Sequence, residues 1–211
     1  MLEIISRCTE SLRQRFAEAQ DDPDFIELDG AIDSAFHLAR ELIGLARPQP
    51  TVGPSVLDVN DVVTQVMSVL QRITGPQVQF DVQLNAPPPL VEAEAAQLEW
   101  VLFNLISNSR DAMPHGGTVT IRTAMTDPQS MPRQRHYVRL TISDTGGGAT
   151  EFAQTRMFEP FFTTKEGRSG LGLTSAAMIV RSLKGWLHME SALGVGTTID
   201  IYLPILEPFS R

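Results

Sequence analysis

The sequence predicts an α+β chain: a helical hairpin followed by an α/β sandwich. Three observations predict it. The first 47 residues carry apolar side chains at alternating steps of three and four, a helical period. A proline- and glycine-rich stretch, "RPQPTVGPS" at 47–55, then interrupts the pattern and reads as an interdomain linker. Beyond it, runs that alternate apolar and polar residues, as strands do, are interleaved with long helical runs. The expected organisation is a hairpin over 1–47, a linker over 48–56 and the sandwich over 57–211.

In the hairpin, Leu2, Ile5, Thr9, Leu12, Phe16 and Ala19 share one seam, and Leu28, Ile32, Ala35, Ala39, Leu42 and Ala46 form a second. "DDPD" at 21–24 separates them with a proline and cap-type carboxylates. One hairpin cannot enclose its own apolar faces, so the expectation is a homodimer through residues 1–47, closed as a four-helix bundle. Packing on the rest of the same chain is the alternative. After the linker, "NDVVTQVMSVLQRI" (60–73) reads as a helix capped by Asn60 or Asp61. "VQFDVQL" (78–84) alternates as a strand and "APPPL" closes it. "EAAQLEWVLFNLISNSRDAM" (94–113) is a long helix ended by Pro114 and Gly116-Gly117. "TVTIRTAM" (118–125) and "HYVRLTIS" (136–143) are strands, followed by a helix near 171–183 and the strand pair "WLHMES" and "TTIDIYLP". These elements build one mixed sheet under a helical layer.

Composition narrows the function. At 211 residues, 42% apolar and 20% charged, the chain can bury a real core. Its 25 acidic against 17 basic residues leave a net charge of −8, which repels a phosphate backbone and argues against nucleic acid as the main ligand. The single cysteine, Cys8, excludes an internal disulfide and fits a reducing compartment. No apolar run approaches the roughly 20 residues of a membrane helix, and "MLEIISRCTE" lacks a signal-peptide core. The expectation is a cytoplasmic chain without membrane contact.

Four stretches carry candidate chemistry. On the 94–113 helix, at about 100° per residue, Asn104, Asn108 and Asp111 fall within an arc of roughly 60°. Leu98, Val101, Leu102, Leu105, Ile106 and Ala112 cover the adjoining face. Such a stripe faces either water or a ligand, and carboxamide oxygens suit a hard cation such as Mg²⁺. In "ISDTGGGAT" (142–150) a strand ends in Asp144 before three glycines. This is either a plain Asp/Gly turn or a flat-ligand pocket, whose carboxylate accepts from an exocyclic amine such as that of adenine. In "KEGRSGLGLTSAAMIV" (165–180) glycines lead directly into a helix, whose free N–H groups and positive dipole end suit phosphate oxygens. "LGVGTTIDIYLP" (193–204) places Gly194, Gly196 and Thr197 at a strand entry, either as a turn or within reach of a base. Beside them, "FEPFFTTK" (158–165) sets aromatic surface against the glycines, as a buried turn or as the base of a mobile lid.

In this order, "NLISNSRDAM", "DTGGGAT", "FEPFFTTK", "GRSGLGL" and "GVGTTIDIYLP" resemble the N, G1, F, G2 and G3 boxes of bacterial sensor histidine kinases. These belong to the wider ATPase superfamily that includes gyrase and the heat-shock chaperones. The match runs through about residues 94–204, and "ARELIGLARPQP…LDVNDVV" resembles the passage from the dimerisation-and-phosphotransfer hairpin into the catalytic domain. The resemblance implies an ATP-binding sandwich of the Bergerat type, ATP and Mg²⁺ as cofactors, and transfer of the γ-phosphoryl group to a histidine. It also implies a response regulator receiver domain as partner. By similarity Asn108 is the Mg²⁺-coordinating asparagine, and Asn104, one turn earlier, lies where relatives carry a second polar group facing the metal or its water. Asp144 takes the adenine amino group, Gly146 and Gly148 shape that pocket, and Thr197 supports the base. Gly170, Leu171 and Gly172 form the phosphate-side run, Phe158, Phe161 and Phe162 anchor the lid, and Lys165 reaches a phosphate or the partner helix.

Two departures stand out. The first expected helix has no histidine, and the hairpin register places the phosphoacceptor just before Met1. His37, in "FHLARE", does not fit the acceptor pattern. His115, His136 and His188 have no Cys or carboxylates at metal spacing, so a zinc site is not expected. In the lid, Arg168 and Ser169 stand before "GLGL" where relatives carry a more flexible pair. Three functions compete: the ATP-binding core of a sensor histidine kinase, a non-catalytic dimeric scaffold that keeps the kinase shape, and an ATPase or serine kinase on the same fold. The hairpin and "FEPFFTTK" favour the histidine kinase over the last.

Overall fold

The computed structural model describes residues 55–131, 135–165 and 170–206. The expected hairpin over 1–47 with its dimer seam, His37, Arg168 and Ser169 lie outside the described residues. Residues Pro50–Thr164 and Gly170–Arg211 group as one compact unit, and Lys165 falls outside it.

The unit starts earlier than the linker expectation allowed. Ser55 and Val56, assigned to the 48–56 linker, are already strand: β1 (Ser55–Asp58) pairs antiparallel with β3 (Leu90–Ala93) in a two-stranded sheet. Neither strand was legible, because four residues are too few to display a period. Helix α1 (Val59–Thr74) follows at once, and its cap is Asp58, whose carboxylate accepts from Asn60 N at 2.8 Å. The expected caps, Asn60 and Asp61, are displaced. Asn60 instead donates to Ala86 O (3.0 Å) and accepts from Thr123 Oγ1 (2.8 Å), which binds the β2–β3 connection to the sheet.

The main sheet has the order β2-β4-β5-β7-β6. Its strands are β2 (Val78–Leu84), β4 (Gly117–Met125), β5 (Tyr137–Asp144), β6 (Trp186–Ala192) and β7 (Gly196–Pro204). β2 and β4 are parallel and the other neighbours antiparallel, so the sheet is mixed, as the strand and helix pattern implied. The crossover between β2 and β4 contains β3 and helix α2 (Ala95–Ala112). A six-residue helix, α3 (Glu151–Arg156), was not anticipated. Thr150 caps it by accepting from Ala153 N at 3.2 Å, and one and a half turns leave no periodic signature in sequence. Helix α4 (Gly172–Ser182) starts where the glycines end.

Alternation along the strands builds the core. Val119, Ile121 and Thr123 of β4, Val138, Leu140 and Ile142 of β5, and Ile199, Ile201 and Leu203 of β7 are all buried. Above them lie Val62, Val63 and Leu70 of α1, Leu98, Val101, Leu102, Leu105 and Ile106 of α2, and Ala176 and Val180 of α4. Full burial of each large aliphatic side chain contributes about 1.5–3 kcal/mol. The opposite face of the sheet exposes Arg122 and Arg139 and carries an aromatic group in which Trp186 stacks on Tyr202 at 4.7 Å and meets Tyr137 edge-on at 4.8 Å. No described helix is long and apolar enough to cross a membrane.

Candidate functional site

Asp144 occupies the last inward-facing position of β5. The alternation that buries Val138, Leu140 and Ile142 carries it under the helices, where it is only 8% exposed. Three elements hold its carboxylate. Oδ1 accepts from Gly146 N at 2.9 Å and from Thr197 N at 3.3 Å, while Oδ2 accepts from Ser109 Oγ at 2.9 Å. The β5–β7 register, which sets Asp144 opposite Thr197, aligns the second of these bonds. A charged group this far from water requires such partners.

The glycine loop after β5 is stitched to its neighbours. Gly147 N donates to Ala112 O at 3.0 Å, and Gly194 N of the β6–β7 turn donates to Gly147 O at 2.9 Å. The glycine positions answer to this packing. A Cβ at Gly146 would lie 2.7 Å from the Ala112 side chain. At Gly148, where φ is +68°, it would collide with the carbonyl of Ala192. The glycines thus let the loop pack closely on Ala112 and on the end of β6. Thr197 joins the Asp144 cluster through its main-chain N–H, because its hydroxyl is shared with Ser191 Oγ at 2.9 Å. Gln154 of α3 completes the edge, donating to Ala149 O and Ser191 O at 2.9 Å each.

On α2 the predicted polar stripe divides. Asn104 is 2% exposed and donates to Trp100 O at 2.9 Å. A Cβ at Gly172 would lie 2.8 Å from Asn104 Oδ1, so this asparagine faces the first turn of α4. Asn108, one turn on, is half-buried. Asp111 pairs with Arg110 at 2.8 Å, and Arg110 also donates to Ile73 O at 3.1 Å, tying the ends of α1 and α2 together. Asn104 and Ser109 are five residues apart, about 7.5 Å along the helix axis. One helix therefore touches both the Asp144 carboxylate and the start of α4, with Asn108 between.

Beside the "FEPFFTTK" segment, a Cβ at Gly170 (φ +71°) would lie 2.6 Å from Phe161 C and 2.7 Å from Phe162 O. Thr174 Oγ1 donates to Phe158 O at 3.2 Å, which binds this segment to α4. Phe162 meets Phe152 edge-on at 6.1 Å, with the Arg156 guanidinium 4.6 Å from its ring centre. Phe161 does not share the expected anchoring role. It is 73% exposed and holds φ at +65°, so its side chain contributes no buried apolar contact. Leu171, the residue before α4, is buried. Lys165 is not among the residues this unit brings together.

Residue-level reading of the sequence passed over Ser109 and gave Gly196 no site role. The signal for Ser109 was present: it falls about 140° around the helix from Asn104, in the middle of the apolar face. A hydroxyl there demands a buried partner. Gly196 (φ +131°) carries no such signal, since only the register reveals that a Cβ would collide with the carbonyl of Asp144. Among the described residues no three His, Cys, Asp or Glu side chains converge on a point.

The arrangement has known counterparts. The histidine kinase-, DNA gyrase B- and HSP90-like ATPase family matches residues 93–207, more than half of the chain and all of the site. The chain belongs to this family. The relatives include sensor kinases and sporulation kinases. The sensor kinase CckA of Brucella abortus is 36% identical over 194 residues, 87% of this chain and 20% of that protein. Sporulation kinase A of Bacillus subtilis is 30% identical over 167 residues, covering 78% and 26%. The chain thus spans about a fifth to a quarter of the length of these curated relatives. Among solved structures, a mycobacterial sensor histidine kinase, MprB, superposes with a TM-score of 0.62 at 26% identity, over 72% of this chain and 97% of that one. The sandwich is a catalytic domain of the sensor histidine kinase kind, in a family whose members bind ATP.

Proposed function

We propose that residues 57–211 bind ATP with Mg²⁺ and act as the catalytic core of a two-component sensor histidine kinase, for transfer to a histidine and onward to a response regulator receiver domain. The observation that carries the reading is the buried Asp144 carboxylate, held by three donors at the end of a central strand. Such a carboxylate accepts from the amino group of adenine. Guanine presents a carbonyl at that place, which the carboxylate repels.

The residues present fit the nucleotide. Of about four acceptor directions on a carboxylate, the described residues fill three, leaving one on Oδ2 for an amine. At the first turn of α4, backbone N–H groups with no intrahelical acceptor follow Gly170 and Leu171 and suit phosphate oxygens. Asn108 lies on the helix face between the two and would hold Mg²⁺. A magnesium ion bound through phosphates needs only one or two protein ligands. ATP supplies the phosphoryl group; the chain orients the base, seats the phosphates and keeps water from the Asp144 end. Asn104, packed against Gly172, sets the distance between α2 and α4. Lys165 is proposed as a catalytic-side contact, to a phosphate or to the partner helix. Dimerisation through 1–47 and a cytoplasmic site of action complete the reading.

Isothermal calorimetry tests it. The full chain should bind ATP–Mg²⁺ with a dissociation constant roughly between micromolar and millimolar. No heat from folded protein overturns the reading. A second reading, a dimeric scaffold that binds ATP or a response regulator without phosphorylating itself, rests on the lack of histidine in the first expected helix.

A further inference from the structure

We propose that Ser109 is the positioning residue for nucleobase recognition, selecting which lone pair of Asp144 meets the ligand's amino group. The inference rests on the reading of Asp144 as the adenine acceptor and adds a residue that the motif reading left unassigned. Ser109 and Asp144 are 5% and 8% exposed, and the 2.9 Å bond between them joins α2 to β5 across 35 residues of sequence. Oδ1 is filled by the two backbone donors, Gly146 N and Thr197 N, which come with the fold and cannot be altered by substitution. Ser109 is the one side chain among the three donors. It takes one direction of Oδ2 and leaves the other.

The consequence is a carboxylate with a fixed rotation and one acceptor direction that the described residues leave open. A ring nitrogen, which only accepts, gains nothing from it; an exocyclic amine does. Without the hydroxyl, both directions of Oδ2 open to water, and the amine must displace hydration from a carboxylate no longer held in one plane. Ser109→Ala is mild for the helix, since alanine is the better helix former and the change removes one buried oxygen.

The experiment compares two nucleotides on the full chain by calorimetry: ATP–Mg²⁺, and purine riboside triphosphate with Mg²⁺, which lacks the amino group. Ser109→Ala should lose about tenfold in ATP affinity, as removal of a hydrogen bond to a charged group predicts. It should bind the amine-free nucleotide as the unaltered chain does. Thermal melting checks that the variant folds. Equal loss for both nucleotides would mean that Ser109 acts through the fold alone, and it overturns the assignment. Unchanged or tighter ATP binding overturns it as well. Asp144→Asn separates the two readings. If it weakens ATP binding while Ser109→Ala does not, only the role of Ser109 falls. If Asp144→Asn binds ATP normally, the base-binding reading falls and this inference with it.

Discussion

Asp144 shows how much a single position depends on its neighbours. Strand alternation places it inward, and inward placement of a carboxylate is unfavourable unless hydrogen bonds compensate. Ser109, Gly146 and Thr197 supply them. Asp144→Asn keeps the shape, and Asn Oδ1 can still accept both backbone bonds, while the Ser109 hydroxyl can turn to accept from the amide. The fold should therefore survive with a loss on the order of 1 kcal/mol, whereas ATP affinity should fall at least about tenfold. Thermal melting and calorimetry read the two separately, and a variant that binds ATP normally would show that the base lies elsewhere. Two glycines make a second residue-scale contrast. Gly148→Ala meets both a positive φ and the carbonyl of Ala192, and should destabilise by more than about 2 kcal/mol. Gly194→Ala has the same kind of φ (+73°) with open space around its Cβ, and should lose only about 1 kcal/mol. Urea unfolding distinguishes them; similar losses would mean that the glycine loop yields easily.

At the scale of elements, the start of α1 illustrates why local rules stop short. From the sequence the expected cap is Asn60 or Asp61, and the structure places it at Asp58 of "LDVND". β1 decides the matter, because its pairing with β3 fixes Asp58 as the last extended residue and Val59 as the first helical one. Asn60 is then free to bridge Ala86 and Thr123. Asp58→Ala should lose about 1 kcal/mol by removing a cap. Asn60→Ala should lose more, about 2 kcal/mol, because it leaves the Ala86 carbonyl and the Thr123 hydroxyl without this partner. Asp61→Ala, exposed in the first turn, should change stability by no more than about 0.5 kcal/mol. Denaturant midpoints give the order, and a larger effect at Asp61 would restore the original expectation.

At the scale of the whole molecule, the proposal is a chain that dimerises through residues 1–47 and carries a nucleotide-binding sandwich. Light scattering should find the full chain dimeric and a fragment spanning 55–211 monomeric, since the apolar seams that call for a partner lie in 1–47. A monomeric full chain would favour the alternative in which the hairpin packs on its own sandwich. With γ-labelled ATP, His37 should take no acid-labile phosphate, because its surroundings lack the acceptor pattern. Label at His37 would reverse that assignment.

The long elements were legible in the sequence because each repeats a period many times. The 18 residues of α2 and the eight- and nine-residue strands carry their own evidence, and the observed ends fall within a residue of those expected. The order of the glycine-bearing boxes was legible too, and it led directly to the family. β1, β3 and α3 were not, since four to six residues define no period and exist through partners distant in the chain. The site followed the same division. Sequence by itself determined that a carboxylate ends β5 and that glycines precede a helix. Only the tertiary structure decided that Asn104 is buried against Gly172, that Phe161 stands exposed, and that Ser109 holds Asp144. The physical reason is one of range: periodicity is written along the chain, whereas a buried hydrogen bond depends on which surfaces the fold presses together.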